Sequence, residues 1–354
     1  MLDRFQPLET LERLSGDPLF PGKIVTDPGQ AKQLLEQQFS DLGITSGLPR
    51  RGREERKKRC EEHPFEFLKT YLPHRFHKNT SAPPPFASFH YDMWDIPKDV
   101  LCLTVGFRES AKSTLLTIGR TIFQFCYVQS HYTILGSYTE PIARRLAEPI
   151  MMEFETNPFI IGDFGDLTTQ RRWSAKMFRT GTGSTLESIG IGQTPRGAQA
   201  TMTSDRPDRA CLDDLLTTKT AISKPEKEAL RRWIFSDVLP ALRSKVDGGY
   251  ECNLNATMID RRSLIFEMFY DTKTYPNIAR RLYNFMDADE KHSMWKERYS
   301  DAECLEKKAN LPVDSWYGEY QMPPKALGTT LFGNMINYYN VLDDGTVMYE
   351  RNYG

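Results

Sequence analysis

The chain has 354 residues and a formal net charge of −1 at pH 7; 39% of its residues are hydrophobic and 26% are charged. These values indicate a globular protein of one large or two ordinary domains, and they exclude a globally basic nucleic-acid-binding protein, so any basic surface must be local. No apolar run approaches membrane-spanning length, and the six scattered cysteines indicate buried, reduced thiols rather than a disulfide framework, so we expect a cytosolic protein with no membrane partner.

Residues 1–62 predict a polar, helical N-terminal region. An amphipathic helix is expected at 31–39, and residues 50–59 carry seven basic side chains ahead of an acidic end. Two interpretations of the basic segment remain open. It is either a solvated helix laced with ion pairs or a surface that contacts the phosphate backbone of DNA.

A short helix is expected in the stretch 86–94, just before the first core strand. Its aromatic and polar side chains could contact an adenine base, and plain core packing explains the aromatic residues equally well.

Residues 106–114 read as a phosphate-binding loop with one substitution. Gly106, Lys112 and Ser113 match the pattern of Gly, four residues, Gly, Lys and Ser or Thr, whereas Ala111 stands at the second glycine. Alanine is the smallest side chain after glycine, so a close backbone approach remains possible if Ala111 keeps a negative φ. The residues expected to bind the phosphates of a nucleotide are Gly106, Arg108, Glu109, Ser110, Ala111, Lys112, Ser113 and Thr114.

The surroundings of this loop are those the motif requires. An apolar run at 100–105 predicts a buried parallel strand, the residues after Thr114 present a broad apolar helical face ending near Gln129, and 132–135 predict the next strand. Strand, loop, helix and strand form the βαβ unit that positions such loops, with Lys112 reaching the β- and γ-phosphates and Ser113 coordinating Mg²⁺.

Farther along the chain, residues 141–154 predict a helix, and two strands at about 172–179 and 184–191 predict a hairpin. A loop at 193–207 then precedes a short apolar strand that ends in two carboxylates. We assign Asp213 to the metal and Asp214 to orienting or deprotonating the attacking water.

The remaining elements complete the predicted fold, an α/β P-loop NTPase core with a mostly parallel sheet flanked by helices. They are a helix at about 225–242, a strand at 250–258, a helix at 263–270 and a strand at 278–286. The expected domains are an N-terminal helical and charged region (1–62), a P-loop ATPase domain (63–325) and a linker (326–354) that contains strand-like pieces.

The chain resembles the large terminase subunit of tailed double-stranded DNA phages, in its N-terminal ATPase part. The resemblance runs from about residue 64 to 324 and rests on the order of its elements. These are Phe65-Glu66-Phe67, Tyr71-Leu72-Pro73, Phe89-His90 to Trp94, the loop at 107–113, Gly192-Gln193 with Arg196-Gly197, Arg206-Pro207-Asp208, Leu212-Asp213-Asp214, Asn255-Ala256-Thr257 and Glu319-Tyr320-Gln321 with Pro323.

This resemblance implies an ATP- and Mg²⁺-dependent motor that drives double-stranded DNA into a procapsid. It implies a homo-oligomeric ring in the host cytoplasm, absent from the mature virion, with the portal protein and the small terminase subunit as partners. It further implies that Arg108 contacts phosphate, that Arg196 acts on a neighbouring subunit's nucleotide and that Thr257 senses hydrolysis.

The family's nuclease domain would start near residue 354, so we expect no DNA cleavage by this chain alone. Two alternatives remain open: another P-loop DNA motor such as a helicase, although few residues follow the Thr257 strand to build a second lobe, and a non-catalytic nucleotide-binding assembly module.

Overall fold

The structure, a computed structural model, describes residues 51–76, 86–169, 173–195, 206–217, 221–323, 338–341 and 347–350, together with the helical positions Gln33 and Gln37. Its centre is an eight-stranded sheet flanked by helices, so the predicted α/β class is confirmed. Within these ranges, no helix has the length and apolar character needed to cross a membrane.

The sheet is mostly parallel, as predicted. In chain order its strands are β1 (Leu101–Gly106), β2 (Tyr132–Ser137), β3 (Trp173–Ser174), β4 (Met177–Arg179), β5 (Thr185–Gly190), β6 (Arg209–Asp213), β7 (Glu251–Ala256) and β8 (Ile278–Tyr283). The spatial order is β3-β4-β5-β2-β6-β7-β1-β8. The strands β5, β2, β6, β7, β1 and β8 are parallel to their neighbours in this order, and β3 and β4 pair antiparallel at one edge. Because β1, β2 and β6 are buried at every position, they form the centre of the core.

Helices flank this sheet and alternate with its strands along the chain. Their bounds are α1 (Arg53–Glu62), α2 (Pro64–Tyr71), α3 (Pro73–Phe76), α4 (Ser88–Trp94), α5 (113–126, a π-helical segment Ser113–Gly119 continued by Arg120–Cys126), α6 (Glu140–Thr156), α7 (Pro158–Phe164), α8 (224–241, formed by Lys224–Arg232, the π-helical Trp233–Val238 and Leu239–Ala241), α9 (Leu264–Tyr270), α10 (Asp301–Ala309) and α11 (Val313–Glu319). Near the C-terminus, β9 (Tyr338–Val341) and β10 (Val347–Glu350) pair as an antiparallel ribbon.

Three predicted elements have wrong bounds. The strand expected at 278–286 ends at Tyr283. The strand expected at 172–179 is divided into β3 and β4, which pair with each other around a tight turn. The helix after the phosphate-binding loop ends at Cys126 rather than near Gln129, and Val128 takes a left-handed φ of 54°, which a helix cannot continue through.

The basic segment forms α1, and part of it is a structural anchor. Arg56 donates from Nε and Nη2 to both carboxylate oxygens of Asp163 at 2.8 and 2.7 Å, and the Tyr71 hydroxyl donates to the same carboxylate at 2.7 Å. Lys58 and Arg59 remain exposed. Any DNA contact by this helix must therefore come from its exposed residues. The helix expected at 31–39 lies outside the described residues except for two helical positions.

Core packing accounts for the aromatic residues of α4 except Tyr91, which is 48% exposed and packs against Phe65 with 4.0 Å between ring centroids. Phe89, His90, Met93 and Trp94 are all buried, and Phe89 packs edge-on against Phe107 with 5.7 Å between ring centroids. These rings therefore fix α4 beneath the phosphate-binding loop, and they present no free face to a base.

A buried ion cluster ties α5 to the sheet. Glu251 at the start of β7 accepts hydrogen bonds from Arg120 Nε at 2.8 Å and Arg209 Nε at 3.1 Å. Burial works to raise the pKa of Glu251, but the charges and hydrogen bonds of the two guanidinium groups outweigh it and hold the pKa at about 2. Since Arg120 lies on α5, this cluster sets the position of the helix that begins at the loop.

Candidate nucleotide-binding site

Three neighbouring strands bring the predicted site residues to one edge of the sheet. In the spatial order β7 lies between β6 and β1, with Asn255 in register with Asp213 on one side and Thr104 on the other. Because the three strands are parallel, the loop after Gly106, the acidic pair at 213–214 and Thr257 all leave the same carboxyl edge. Crevices at this edge are where open α/β sheets bind ligands.

The backbone of the loop differs from the sequence-based expectation. Ala111 has a φ of 61° rather than a negative value, and Glu109 has a φ of 70°. A left-handed φ costs a residue with a Cβ about 1–2 kcal/mol, which glycine would avoid. Alanine at the second glycine position of the motif therefore adopts a left-handed backbone, which strains the loop locally.

Lys112 folds over its own loop. Its ammonium group donates to the carbonyl oxygens of Gly106 at 2.6 Å and Phe107 at 2.9 Å, and it lies 3.4 Å from the Thr257 hydroxyl. Burial lowers the pKa of Lys112 to about 8, against the opposing charges of Asp213 and Asp214. The lysine is thus a buried cation held by its own loop, with the charges of Asp213 and Asp214 acting on it.

A side chain at Gly106 would displace its neighbours in the loop. A Cβ there would lie 2.9 Å from Lys112 Cδ, closer than real Cβ contacts, and 3.0 Å from Ser110 Oγ, so the lysine side chain would have to move. The loop then enters α5 at Ser113 and Thr114, both half-buried. Because the N–H groups of a first helical turn have no intrahelical acceptor, they remain available to an anion at this end.

Asp213 is buried at the end of β6 and meets the residues of α5. Its carboxylate accepts a hydrogen bond from the Thr117 hydroxyl, and the side chains of Ser113 and Asn255 lie beside it. Burial raises the pKa of this carboxyl, and the Thr117, Ser113 and Asn255 side chains together with the charge of Lys112 oppose that rise. The carboxylate and the Ser113 hydroxyl therefore form a pair of oxygen donors beside Lys112.

Asp214 adopts a left-handed φ of 54°, which turns the chain out of β6. Its carbonyl oxygen accepts from Tyr138 N at 3.4 Å and from the Ser137 hydroxyl at 3.3 Å. Desolvation of its carboxyl and the charge of Asp213 raise the pKa of Asp214 to about 6, although the residue as a whole is exposed. A carboxylate with this pKa is a competent proton acceptor near neutral pH.

Thr257, just beyond β7, touches the loop directly. Its hydroxyl donates to the carbonyl oxygen of Gly106 at 3.3 Å as well as facing the Lys112 ammonium group. A change in the position of Lys112 would therefore alter the contacts of Thr257 at the end of β7.

The side chains of Arg108 and Glu109 contact the segment from Tyr299 to Tyr320 rather than the loop interior. Arg108 N donates to the Glu319 carbonyl oxygen at 2.7 Å, and its guanidinium group pairs with the Glu319 carboxylate at 2.6 Å. Glu109 accepts from Lys307 at 2.8 Å and from the Tyr299 hydroxyl at 2.9 Å. The side chains of Arg108 and Glu109 therefore dock the tip of the loop onto Tyr299, α10 and α11.

Arg196 lies outside the described residues, so its position relative to the site is not part of the structure. The loop that leads to it is anchored by Gln193, whose carbonyl oxygen accepts from Trp233 Nε1 at 2.7 Å and whose amide donates to Glu140 at 2.8 Å.

A Mg²⁺-bound nucleoside triphosphate fits this set of donors. Ser113 and Asp213 offer the oxygen ligands that Mg²⁺ prefers, and Lys112 and the first turn of α5 offer positive charge and N–H groups. In the described part of the chain, no group of three or more His, Cys, Asp or Glu side chains could hold a metal. Mg²⁺ at this position would therefore depend on the phosphate oxygens for much of its coordination.

Sequence reasoning missed His90 as a support of the loop. Its Nδ1 accepts from Ala87 N at 3.0 Å, and its Nε2 faces the carbonyl oxygen of Ser110 at 3.3 Å. A carbonyl only accepts hydrogen bonds, so the ring is neutral with its proton on Nε2. Burial lowers the pKa of His90 to about 4. The aromatic run around it pointed to packing, and no local pattern connects it to Ser110.

No protein-family model matches the chain, and no curated protein matches it either. Among solved structures, the chain is similar to the crystal structure of the HK97 bacteriophage large terminase, with a TM-score of 0.48 and 12% sequence identity over 74% of this chain and 54% of that one. The chain thus spans about half the length of this neighbour. A likeness of this size carries no conclusion about activity.

Proposed function

We propose that this chain is a Mg²⁺-dependent ATPase that couples hydrolysis to the movement of double-stranded DNA into a phage procapsid. The observation that supports hydrolysis best is the meeting of Ser113, Asp213 and Lys112 at the carboxyl edge of the sheet. These are the residue types that P-loop enzymes place at the metal and the phosphates.

In this proposal each residue of the site has a separate task. Lys112 and the first turn of α5 bind the phosphate oxygens, while Ser113 and Asp213 hold Mg²⁺, which neutralises charge on the phosphates. Asp214 orients the attacking water and accepts its proton. Thr257 relays the position of Lys112 to β7 through the contacts described above.

Two arginines complete the proposal. Arg108 would have to leave Glu319 to reach a phosphate, since its guanidinium group is paired with that carboxylate. Arg196 would act in trans on the nucleotide of a neighbouring copy, where it would neutralise charge on the γ-phosphoryl oxygens.

The packaging role is supported by the ordered motifs of the sequence. Double-stranded DNA, the portal protein and the small terminase subunit are the proposed partners, in a ring of identical subunits in the host cytoplasm.

The test is ATP turnover measured with and without long duplex DNA, beside a strand-separation assay on the same substrate. We expect duplex DNA to raise turnover without separating the strands. Strand separation would point to a helicase, and an absence of DNA stimulation at concentrations that allow a ring to form would contradict the motor.

A further inference from the structure

A layer of polar and thiol side chains lies on one face of the three central strands, beneath α5. Parallel strands buried on both faces normally carry Val, Ile and Leu at such positions. Here the alternate positions of β6, β7 and β1 are fully or almost fully buried and are occupied by Cys211, Asp213, Asn253, Asn255, Cys102 and Thr104. Burying so many polar groups costs stability unless they are hydrogen-bonded, so this layer requires an explanation beyond packing.

One chain of hydrogen bonds in this layer ends at Asp213, and each of its members donates to the next. Asn253 Nδ2 donates to Asn255 Oδ1 at 3.2 Å, and Asn255 Nδ2 donates to the Thr117 hydroxyl oxygen at 3.1 Å. Thr117 in turn donates to Asp213 Oδ2. Each member of such a chain polarises the next, so the donors at its start strengthen the last bond.

The hydroxyl of Thr117 has no freedom to point elsewhere. A hydroxyl group has one proton and two acceptor lone pairs. One lone pair accepts from Asn255 Nδ2, and the thiol of Cys211 donates to the same oxygen at 3.4 Å. Because both acceptor directions are used, the single proton must be directed at Asp213. Thr117 is itself fully buried, so water does not compete for this bond.

We propose that Thr117 and Asn255 are positioning residues that fix the orientation of the Asp213 carboxylate, so that its remaining oxygen is held toward the metal that Ser113 shares. This inference rests on the proposed function and extends it to residues that touch neither nucleotide nor metal. Partners behind a metal ligand typically change metal affinity about 10- to 100-fold when they are removed.

The experiment measures binding of a fluorescent, non-hydrolysable ATP analogue while Mg²⁺ is titrated, and again without metal in the presence of EDTA. For Thr117→Val, which keeps the shape and removes the hydroxyl, we expect the Mg²⁺ concentration for half-maximal binding to rise about tenfold. Metal-free binding of the analogue should stay within about twofold of the wild type, because the loop and Lys112 are unchanged. Thr117→Ser retains the hydroxyl and should restore the wild-type Mg²⁺ dependence.

Two further variants protect the test against a folding defect. Thr121→Val is the matched control for the loss of a buried hydroxyl, since Thr121 lies one turn later on α5 and is almost equally buried. Its hydroxyl donates to the Thr117 carbonyl oxygen rather than to Asp213 and accepts from Arg209, so its removal costs at least as much buried hydrogen bonding. It should leave the Mg²⁺ dependence unchanged. Asn255→Ser removes the amide that donates to Thr117 and should shift the Mg²⁺ dependence in the same direction as Thr117→Val, including in the case where the valine variant does not fold.

The outcomes separate this inference from the proposed function. If the wild type binds the analogue with no dependence on Mg²⁺, the proposed function fails. If the wild type depends on Mg²⁺ and Thr117→Val and Asn255→Ser match it, the inference is overturned and the function stands. Equal weakening with and without Mg²⁺ would assign the hydrogen-bond chain to general stability and would also overturn the inference.

Discussion

Lowering the pH from 7 to 5 is expected to destabilise the wild-type protein more than a His90→Gln variant. His90 is fully buried and neutral, with Nδ1 accepting from Ala87 N and Nε2 facing the carbonyl oxygen of Ser110 in the phosphate-binding loop. Protonation would remove the acceptor and leave a buried charge. Glutamine carries both a donor and an acceptor and does not titrate, so it keeps the polar character of the site without the pH dependence.

The magnitude follows from the displacement of the pKa. Burial lowers the pKa of His90 from an ordinary value of 6.5 to about 4. Because the folded pKa lies below the unfolded one, the unfolded chain binds more protons between these two values, and stability falls as the pH falls through that window. Integrating the proton uptake from pH 7 to pH 5 gives a loss of about 2 kcal/mol from this one group.

The assay is urea unfolding followed by tryptophan fluorescence at pH 7, 6 and 5 for both proteins. Other groups that titrate in this window, including Asp214, are common to both chains, so the difference between the two free energies of unfolding isolates His90. A difference that grows by about 2 kcal/mol toward pH 5 is the expected result. Parallel loss of stability in the two proteins would refute the buried, neutral imidazole and its role beneath the loop.

Three further predictions concern the site and its surroundings. Turnover of ATP should rise as the pH rises through about 6, because the Asp214 carboxyl ionises there. Asp214→Asn should abolish turnover while nucleotide binding persists. A pH profile of turnover with no rise near pH 6 would contradict the role of Asp214 as the base. Ala111→Gly should raise the free energy of unfolding by about 1 kcal/mol, because glycine relieves the strain of a φ of 61°. Ala302→Gly in the exposed first turn of α10 should instead lower the free energy of unfolding by about 1 kcal/mol. Urea unfolding of both variants distinguishes relief of strain at Ala111 from a general effect of glycine. If α1 contacts DNA, Lys58→Glu combined with Arg59→Glu should weaken DNA-stimulated turnover, more so at low salt, and spare basal turnover; equal loss of both activities would make α1 a purely structural helix.

Sequence reasoning predicted the parts of the fold that local sequence patterns specify. The apolar run before Gly106, the helical periodicity after Thr114 and the short strand ending at Asp213 each specify an element and its boundary within a few residues. The right order of these elements then places their loops at one edge of a parallel sheet. The same reasoning brings Thr257 to that edge without any knowledge of its contacts.

The parts that sequence reasoning missed depend on distant partners or on small energies. Arg108 and Glu109 lie about 200 positions from Glu319 and Lys307 in the chain, and no local pattern pairs them. The sign of φ at Ala111 was missed because a cost of about 1–2 kcal/mol is small enough for the surrounding loop to override.

The hydrogen-bond chain that ends at Asp213 was missed for a related reason. It joins two strands and a helix, and each of its residues reads in isolation as an ordinary strand or helix position.

Steady-state release of phosphate from ATP in the presence of Mg²⁺ tests the central claim most directly. The comparison is between the wild type, Lys112→Ala and Lys98→Ala. Lys98 is an exposed lysine just before β1, at the end of the strand opposite to Gly106, and it controls for the loss of a surface charge. We predict that turnover disappears in Lys112→Ala and persists in Lys98→Ala. Equal turnover in all three proteins, or no turnover in the wild type, would contradict the assignment of this loop and its acidic pair as an ATP-hydrolysing site.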